Sequence, residues 1–264
     1  MATQTIQRPD LIEVNGIAIE MRQRGAGPTL LYLHPHIGLT RAEPFLDALA
    51  TRFTVYASSH PGFGRSALPR HLTSIDDLAY VYLDLIEQLD LDRIVLVGSS
   101  LGGWLAAEIA TKASARLARL VLIDPLGIRV SPESDNADIV DFFATKQAEL
   151  DRLAYHDPSQ ARLDHTAMSE EDAYIHFRNR ESAALFGWSP YMNNPKLKSR
   201  LHRIRVPTLI LWGESDFIAT ANYGQRFADL IPGAAFALVE QAGHFPHIEQ
   251  PQAVADKIVA FAGA

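Results

Sequence analysis

Arg93-Ile94-Val95-Leu96-Val97-Gly98-Ser99-Ser100-Leu101-Gly102-Gly103-Trp104-Leu105-Ala106-Ala107-Glu108-Ile109-Ala110 is the stretch that decides the fold. Its first five residues are an apolar run of the kind a fully buried strand shows, and from Gly103 onward the pattern reads as a helix. Between them, Gly98-Ser99-Ser100-Leu101-Gly102 leaves room only for a sharp reversal. Small residues are needed there, because side chains at the two glycines would collide with neighbouring backbone. One serine, Ser100, is left at the corner with its hydroxyl at the sheet edge. A G-x-S-x-G pattern arises by accident in roughly one chain in ten of this length, so the flanking strand and helix and any partners downstream must decide what it means.

Two later strands bring such partners. Pro207-Thr208-Leu209-Ile210-Leu211-Trp212-Gly213 leads into the turn Glu214-Ser215-Asp216-Phe217, and Ala235-Phe236-Ala237-Leu238-Val239-Glu240 leads into Gln241-Ala242-Gly243-His244-Phe245. A serine hydroxyl is a weak nucleophile at neutral pH and needs an imidazole to take its proton; His244 is the candidate base. The imidazole in turn needs a carboxylate on its far nitrogen to fix its tautomer and stabilise its protonated form. Asp216 is the candidate. Asp124, closing the strand Leu120-Val121-Leu122-Ile123, competes for that role, with Glu214 behind it. The developing alkoxide needs preorganised N–H donors, and the amide of Leu101, opening the helix, supplies one.

In the order Ser100, Asp216, His244, these residues resemble the α/β-hydrolase superfamily, whose nucleophile elbow is G-x-S-x-G and whose acid and histidine follow in that sequence. The similarity covers nearly the whole chain and thins between about Gly127 and Lys196. In the family, a His-Gly-x loop after the third strand gives the second oxyanion donor from its third residue. Here that loop is Leu33-His34-Pro35-His36-Ile37-Gly38, so the resemblance implies His36. Pro35 stands in place of the usual Gly, which removes the N–H of residue 35 and leaves that of His36. Ser59-His60-Pro61-Gly62-Phe63-Gly64-Arg65-Ser66 resembles the family's Asp-x-Pro-Gly-x-Gly-x-Ser turn, with Ser59 in place of Asp.

The rest of the chain fits an α/β architecture. Leu11–Arg22 reads as a hairpin around Asn15-Gly16. Strand patterns near 29–34, 53–58, 93–98, 119–124, 207–213 and 234–240 are mostly separated by helical ones near 42–51, 73–90, 100–112, 222–231 and 251–263. Such alternation builds a mostly parallel sheet flanked by helices, here of eight strands, and ligands then bind beyond the strands' carboxyl ends. Residues 1–126 and 196–264 form the α/β-hydrolase core, and 127–195 the helical cap, with helical stretches at Ile139–Ala144 and Ala173–Phe177. Phe142, Phe143, Trp188 and Tyr191 are its candidate pocket residues, joined from the core by His34, Phe217 and Phe245. Arg178 and Arg180 are cationic residues of the cap that would meet a substrate carboxylate if they faced the pocket.

Composition narrows the function classes. The chain has 264 residues, 47% hydrophobic, with a net charge of −7, which suits one sizeable core and argues against binding nucleic acid, a task for basic patches. Without cysteine there are no disulfides, thiol nucleophiles or thiolate metal sites. His34 with His36, and His244 with His247, are spaced as metal ligands can be, yet no acidic ligand stands at matching spacing, so no metal and no cofactor is expected. Met1–Asp10 lacks the apolar core of a leader and no run is long enough to span a membrane. The expectation is a cytoplasmic protein acting on a small molecule, without membrane or nucleic-acid partners, and able to form a homodimer.

The resemblance implies a serine hydrolase cleaving an ester or related acyl bond of a mainly apolar substrate through an acyl-enzyme. Carbon–carbon bond hydrolases of aromatic ring-cleavage products share the cap and the elbow, but usually carry Asn where Ser99 stands and Trp where Phe245 stands. The same fold also hosts cofactor-free lyases, oxygenases and ligand-binding receptors.

Overall fold

The computed structural model describes residues 10–131, 138–161 and 168–263. The start of the chain and two stretches of the 127–195 region lie outside them. Eight strands form one sheet: β1 (Asp10–Val14), β2 (Ile17–Arg24), β3 (Thr29–Leu33), β4 (Thr54–Ser58), β5 (Ile94–Ser99), β6 (Leu117–Ile123), β7 (Thr208–Gly213) and β8 (Ala235–Val239). Their spatial order is β1-β2-β4-β3-β5-β6-β7-β8. β2 runs antiparallel to both its neighbours, β1 and β4, and all pairs from β4 to β8 are parallel.

The helices are α1 (Glu43–Ala50), α2 (Ile75–Gln88), α3 (Leu101–Lys112), α4 (Gln147–Ala154), α5 (Glu170–Gly187), α6 (Ala221–Ala228), α7 (Pro246–Glu249) and α8 (Pro251–Ala262). Side chains alternate across a strand, and here both sets are apolar because both faces are covered. Leu31, Leu96, Leu122 and Ile210 pack in one layer with α2, α3 and α6, whereas Tyr32, Val97, Val121 and Leu211 pack in the other with α1 and α8. The central strands therefore read as unbroken apolar runs. Sequence order reverses at β3, with β4 on one side and β5 on the other. The loops after β3 and β5 thus meet at the carboxyl edge, where such sheets leave a crevice.

Between β6 and β7 the chain leaves the sheet and returns through one stem. Gly127 N–H donates to Met192 O (3.1 Å) and Asn194 N–H to Gly127 O (2.9 Å). Within this excursion α5 docks onto the loops of the carboxyl edge. Asn179, 3% exposed, donates to Ile37 O (3.1 Å) and accepts from Gly64 N–H (2.9 Å). Ser182 donates to Gly62 O (2.7 Å), and Arg178 to the carbonyls of Gly64 and Ser66. Leucine at 179 would leave the buried Gly64 N–H and the half-buried Ile37 carbonyl without these partners. Asn179→Leu should therefore lower stability by about 2 kcal/mol, measured by denaturant unfolding.

One expected element is corrected. Ile139–Ala144 is not helical: residues 139–141 are irregular and lead into a turn at 142–144. The Asp141 carboxylate accepts from the amides of Phe143 (2.8 Å) and Ala144 (2.9 Å), and such local side-chain bonds compete with helix. Helix α5 does include Ala173–Phe177. Among the described residues, no helix is long and apolar enough to cross a membrane.

Candidate active site

The turn after β5 holds Ser100 at φ +52°, ψ −115°, a conformation that costs an L-residue on the order of 1–3 kcal/mol. Its backbone is pinned on both sides: Ser100 N–H donates to Ile123 O (2.8 Å), and Ser100 O accepts from Trp104 N–H (3.0 Å). The glycines make the reversal possible. A Cβ on Gly98 would lie 2.2 Å from Gly102 O, and one on Gly102 would lie 2.2 Å from Leu33 O and 2.5 Å from His34 O. Gly102→Ala should accordingly cost about 3 kcal/mol or more and be visible as a depressed melting temperature.

Three side chains from three loops converge there. Ser100 Oγ lies 2.8 Å from His244 Nε2, and His244 Nδ1 lies 2.8 Å from Asp216 Oδ2. The other carboxylate oxygen of Asp216 accepts from the amides of Ile218 (2.8 Å) and Ala219 (3.2 Å). These bonds aim Oδ2 at the imidazole. Ser100, His244 and Asp216 are 0%, 1% and 3% exposed, so the hydrogen-bonded chain lies out of bulk water, where its electrostatics are least screened.

Helix α4 takes part in this arrangement, a role not read from the sequence. Its last carbonyls accept from both loops: Ala154 O from His244 N–H (2.7 Å) and Leu153 O from Phe217 N–H (3.0 Å). Gly243 permits that approach, since a Cβ there would lie 2.3 Å from Ala154 O. A glycine immediately before a candidate base was the available signal. Glu249 then accepts from Gly243 N–H (2.6 Å).

The remaining predicted residues sort by position. The Phe142 ring lies 4.5 Å from that of His36 and 6.0 Å from that of His244, and Phe245 lies 5.1 Å from His244 and 5.7 Å from His36. These aromatic rings cover the hydrogen-bonded chain, and burial lowers the pKa of His36 to about 3. Tyr191 accepts from Phe142 N–H (2.7 Å) and donates to Val140 O (2.6 Å). It clamps the segment that presents Phe142. Phe143 packs against Trp188 and Tyr191, one layer out. Trp188 and Phe217 are 64% and 58% exposed.

His34 is a loop brace in this structure. Its Nδ1–H donates to Pro35 O (2.7 Å), its Nε2 accepts from His60 N–H (2.9 Å), and its ring stacks on His60 at 3.6 Å. Arg178 is committed to the Gly64 and Ser66 carbonyls, and Arg180 donates to Gln147 (3.0 Å). Where Ser59 stands in place of the expected Asp, Glu20 supplies the carboxylate, accepting from Ser59 Oγ (2.6 Å) and Arg65 N–H (3.1 Å). Leu101 opens α3, where first-turn amides have no intrahelical acceptor.

Asp124 stands beside the same site. Ligand atoms of Asp124, Asp216 and His244 lie within 4.8 Å of one another, a grouping that also resembles a cation site. Both nitrogens of His244 and both oxygens of Asp216 are already hydrogen-bonded within the protein. A cation would have to displace those bonds.

Residues 30–257 match the alpha/beta hydrolase family. The chain belongs to that family. This alpha/beta hydrolase is 26% identical over 273 residues to an uncharacterized protein of Mycobacterium tuberculosis, covering 94% of this chain and 79% of that one. It is 21% identical over 261 residues to a 2-hydroxy-6-oxo-6-(2'-aminophenyl)hexa-2,4-dienoic acid hydrolase of Metapseudomonas resinovorans, covering 95% and 89% of the two chains. Among solved structures, it superposes on the enol-lactonase of Burkholderia xenovorans LB400 with a TM-score of 0.77 at 23% identity, over 97% of this chain and 100% of that one.

Proposed function

We propose that this alpha/beta hydrolase cleaves an ester or related acyl bond of a small, mainly apolar molecule through an acyl-enzyme. The observation that supports this reading most directly is the continuous hydrogen-bonded chain from Ser100 through His244 to Asp216. In this mechanism His244 takes the serine proton as Oγ attacks the carbonyl carbon, and Asp216 stabilises the imidazolium that forms. The amides of Leu101 and His36 receive the developing oxyanion. His244 then returns the proton to the leaving alcohol, and water repeats the sequence to release the acid. Phe142 and Phe245 favour an apolar acyl or alkyl group beside the serine.

Mass spectrometry after mixing with an activated ester tests this. One acyl group on the peptide containing Ser100 is expected; a label on any other residue defeats the assignment. Esters of graded chain length then map the pocket.

A second reading has its own support, the similarity to the hexadienoic acid hydrolase of Metapseudomonas resinovorans. In that reading the bond cleaved is carbon–carbon, in a vinylogous diketone. Ser99 and Phe245 depart from the residues usual in such enzymes. The ester reading therefore predicts turnover of the ester panel with no cleavage of a vinylogous diketone, which loss of the dienone absorbance would reveal.

A further inference from the structure

Two strands end in an aspartate at the same place, and only one of these carboxyl groups reaches the imidazole. Asp124 follows β6 with φ +43°, and its N–H donates to Leu211 O (2.9 Å). The side chain is fully buried. One carboxyl oxygen, Oδ1, accepts from Gly213 N–H (2.9 Å). The other, Oδ2, is buried and has no hydrogen-bond donor as partner among the described residues.

The groups that face Asp124 leave it poorly placed to hold a negative charge. Asp216 and Glu249 are the charged groups acting on it, both acidic, and His244 belongs to the same cluster. Two adjoining buried carboxyl groups cannot both ionise without a large penalty, so one keeps a proton. Hydrogen bonds decide which. Asp216 accepts three N–H donors, from Ile218, Ala219 and His244, and Asp124 accepts one, from Gly213. The charge belongs on Asp216 and the proton on Asp124.

We propose that Asp124 is a neutral carboxylic acid that donates a hydrogen bond to the Asp216 carboxylate and serves as a positioning residue for the acid–histidine pair. The role rests on the Ser100–His244–Asp216 reading above. A proton on Oδ2 gives the orphaned oxygen a partner and leaves one negative charge in the cluster. By donating to Asp216, the acid also holds the carboxylate against the Nδ1–H of His244, while the proton taken from Ser100 arrives on the opposite nitrogen, Nε2. Burial and the Asp216 charge push the pKa of Asp124 well above the ordinary carboxylate range. Its ionisation at alkaline pH would set a second negative charge beside Asp216 and disturb the pair.

Two variants suit the backbone. Asparagine tolerates positive φ well and offers both an acceptor for Gly213 and a donor for Asp216; glycine tolerates it equally and offers neither. Asp124→Asn should keep kcat within about threefold of wild type, whereas Asp124→Gly should lower kcat about tenfold or more with little change in KM. An alkaline fall in kcat present in the wild type should be absent from Asp124→Asn. Carbon-13 NMR of the side-chain carboxyl, assigned by its loss in Asp124→Asn, should find the wild-type group protonated at pH 7.

An ionised Asp124 at that pH overturns the proposal whatever the enzyme's activity. So does a folded Asp124→Asn as impaired as Asp124→Gly. A protonated Asp124 in a protein that never acylates Ser100 would instead defeat the proposed reaction and leave the carboxyl pairing intact.

Discussion

Ser100→Ala should reduce turnover of an activated ester by roughly 10⁴- to 10⁶-fold, the scale seen when one member of a cooperating triad is removed. The expectation follows from the connectivity of the site. His244 Nε2 has Ser100 Oγ as its partner at 2.8 Å, so deletion of that oxygen leaves a base with nothing to activate but water. In the proposed mechanism the amides of Leu101 and His36 would still favour an oxyanion, which would leave a small residual rate. Stopped-flow and steady-state assays on the purified variant measure the loss. Substrate binding should persist, because the rings of Phe142 and Phe245 are untouched. A melting temperature near wild type, combined with undiminished turnover, would show that another residue attacks.

Acid should unfold this protein unusually steeply between about pH 6.5 and 3. Burial drives the pKa of His60 and of His247 down to about 3. In the unfolded chain the same groups take up protons near pH 6.5. The unfolded state therefore binds more protons throughout that window, and stability falls as pH falls. At pH 5 each histidine should cost roughly 2 kcal/mol relative to neutrality, and the pair about 4 kcal/mol, against a total stability of order 5–15 kcal/mol. His34, stacked on His60 and held well below the usual range by burial, acts in the same direction.

His247 offers a clean control. Among the described residues neither of its ring nitrogens finds a hydrogen-bond partner, and the ring packs against Tyr32, Phe45 and Phe245. His247→Leu should be near neutral at pH 7 and remove about one proton from the pH dependence of unfolding. Denaturant titrations at pH 7, 6 and 5 measure both effects. Parallel curves for wild type and variant would refute the account.

Much of the sheet was legible because its central strands are buried on both faces. Ile94–Val97 and Thr208–Gly213 have no polar alternation to confuse with a surface strand, and the glycines of the elbow admit few other conformations. Ser100, Asp216 and His244 could be named together because each follows a parallel strand at its carboxyl end, where topology gathers distant loops.

Other features depend on distances that one dimension does not encode. Asp124 and Asp216 each follow an apolar strand and compete for the same role in the sequence; the 2.8 Å contact with His244 belongs to Asp216. The apolar run at Ile139–Ala144 has the composition of a helix, but the Asp141 carboxylate captures the amides a helix would use. For Trp188, size and hydrophobicity suggested a pocket wall. Its ring lies mostly in solvent against Phe143, since which side of a helix end meets the interior is set by tertiary packing.

The Gly127–Asn193 bridge has an evolutionary corollary. Both ends of the intervening stretch depart from adjoining points, so a lineage can lengthen or shorten the chain between them without reopening the sheet, provided the Leu153 and Ala154 carbonyls still meet the amides of Phe217 and His244. Change in that stretch is therefore tethered at α4, where a shifted backbone would move the histidine and aspartate loops with it.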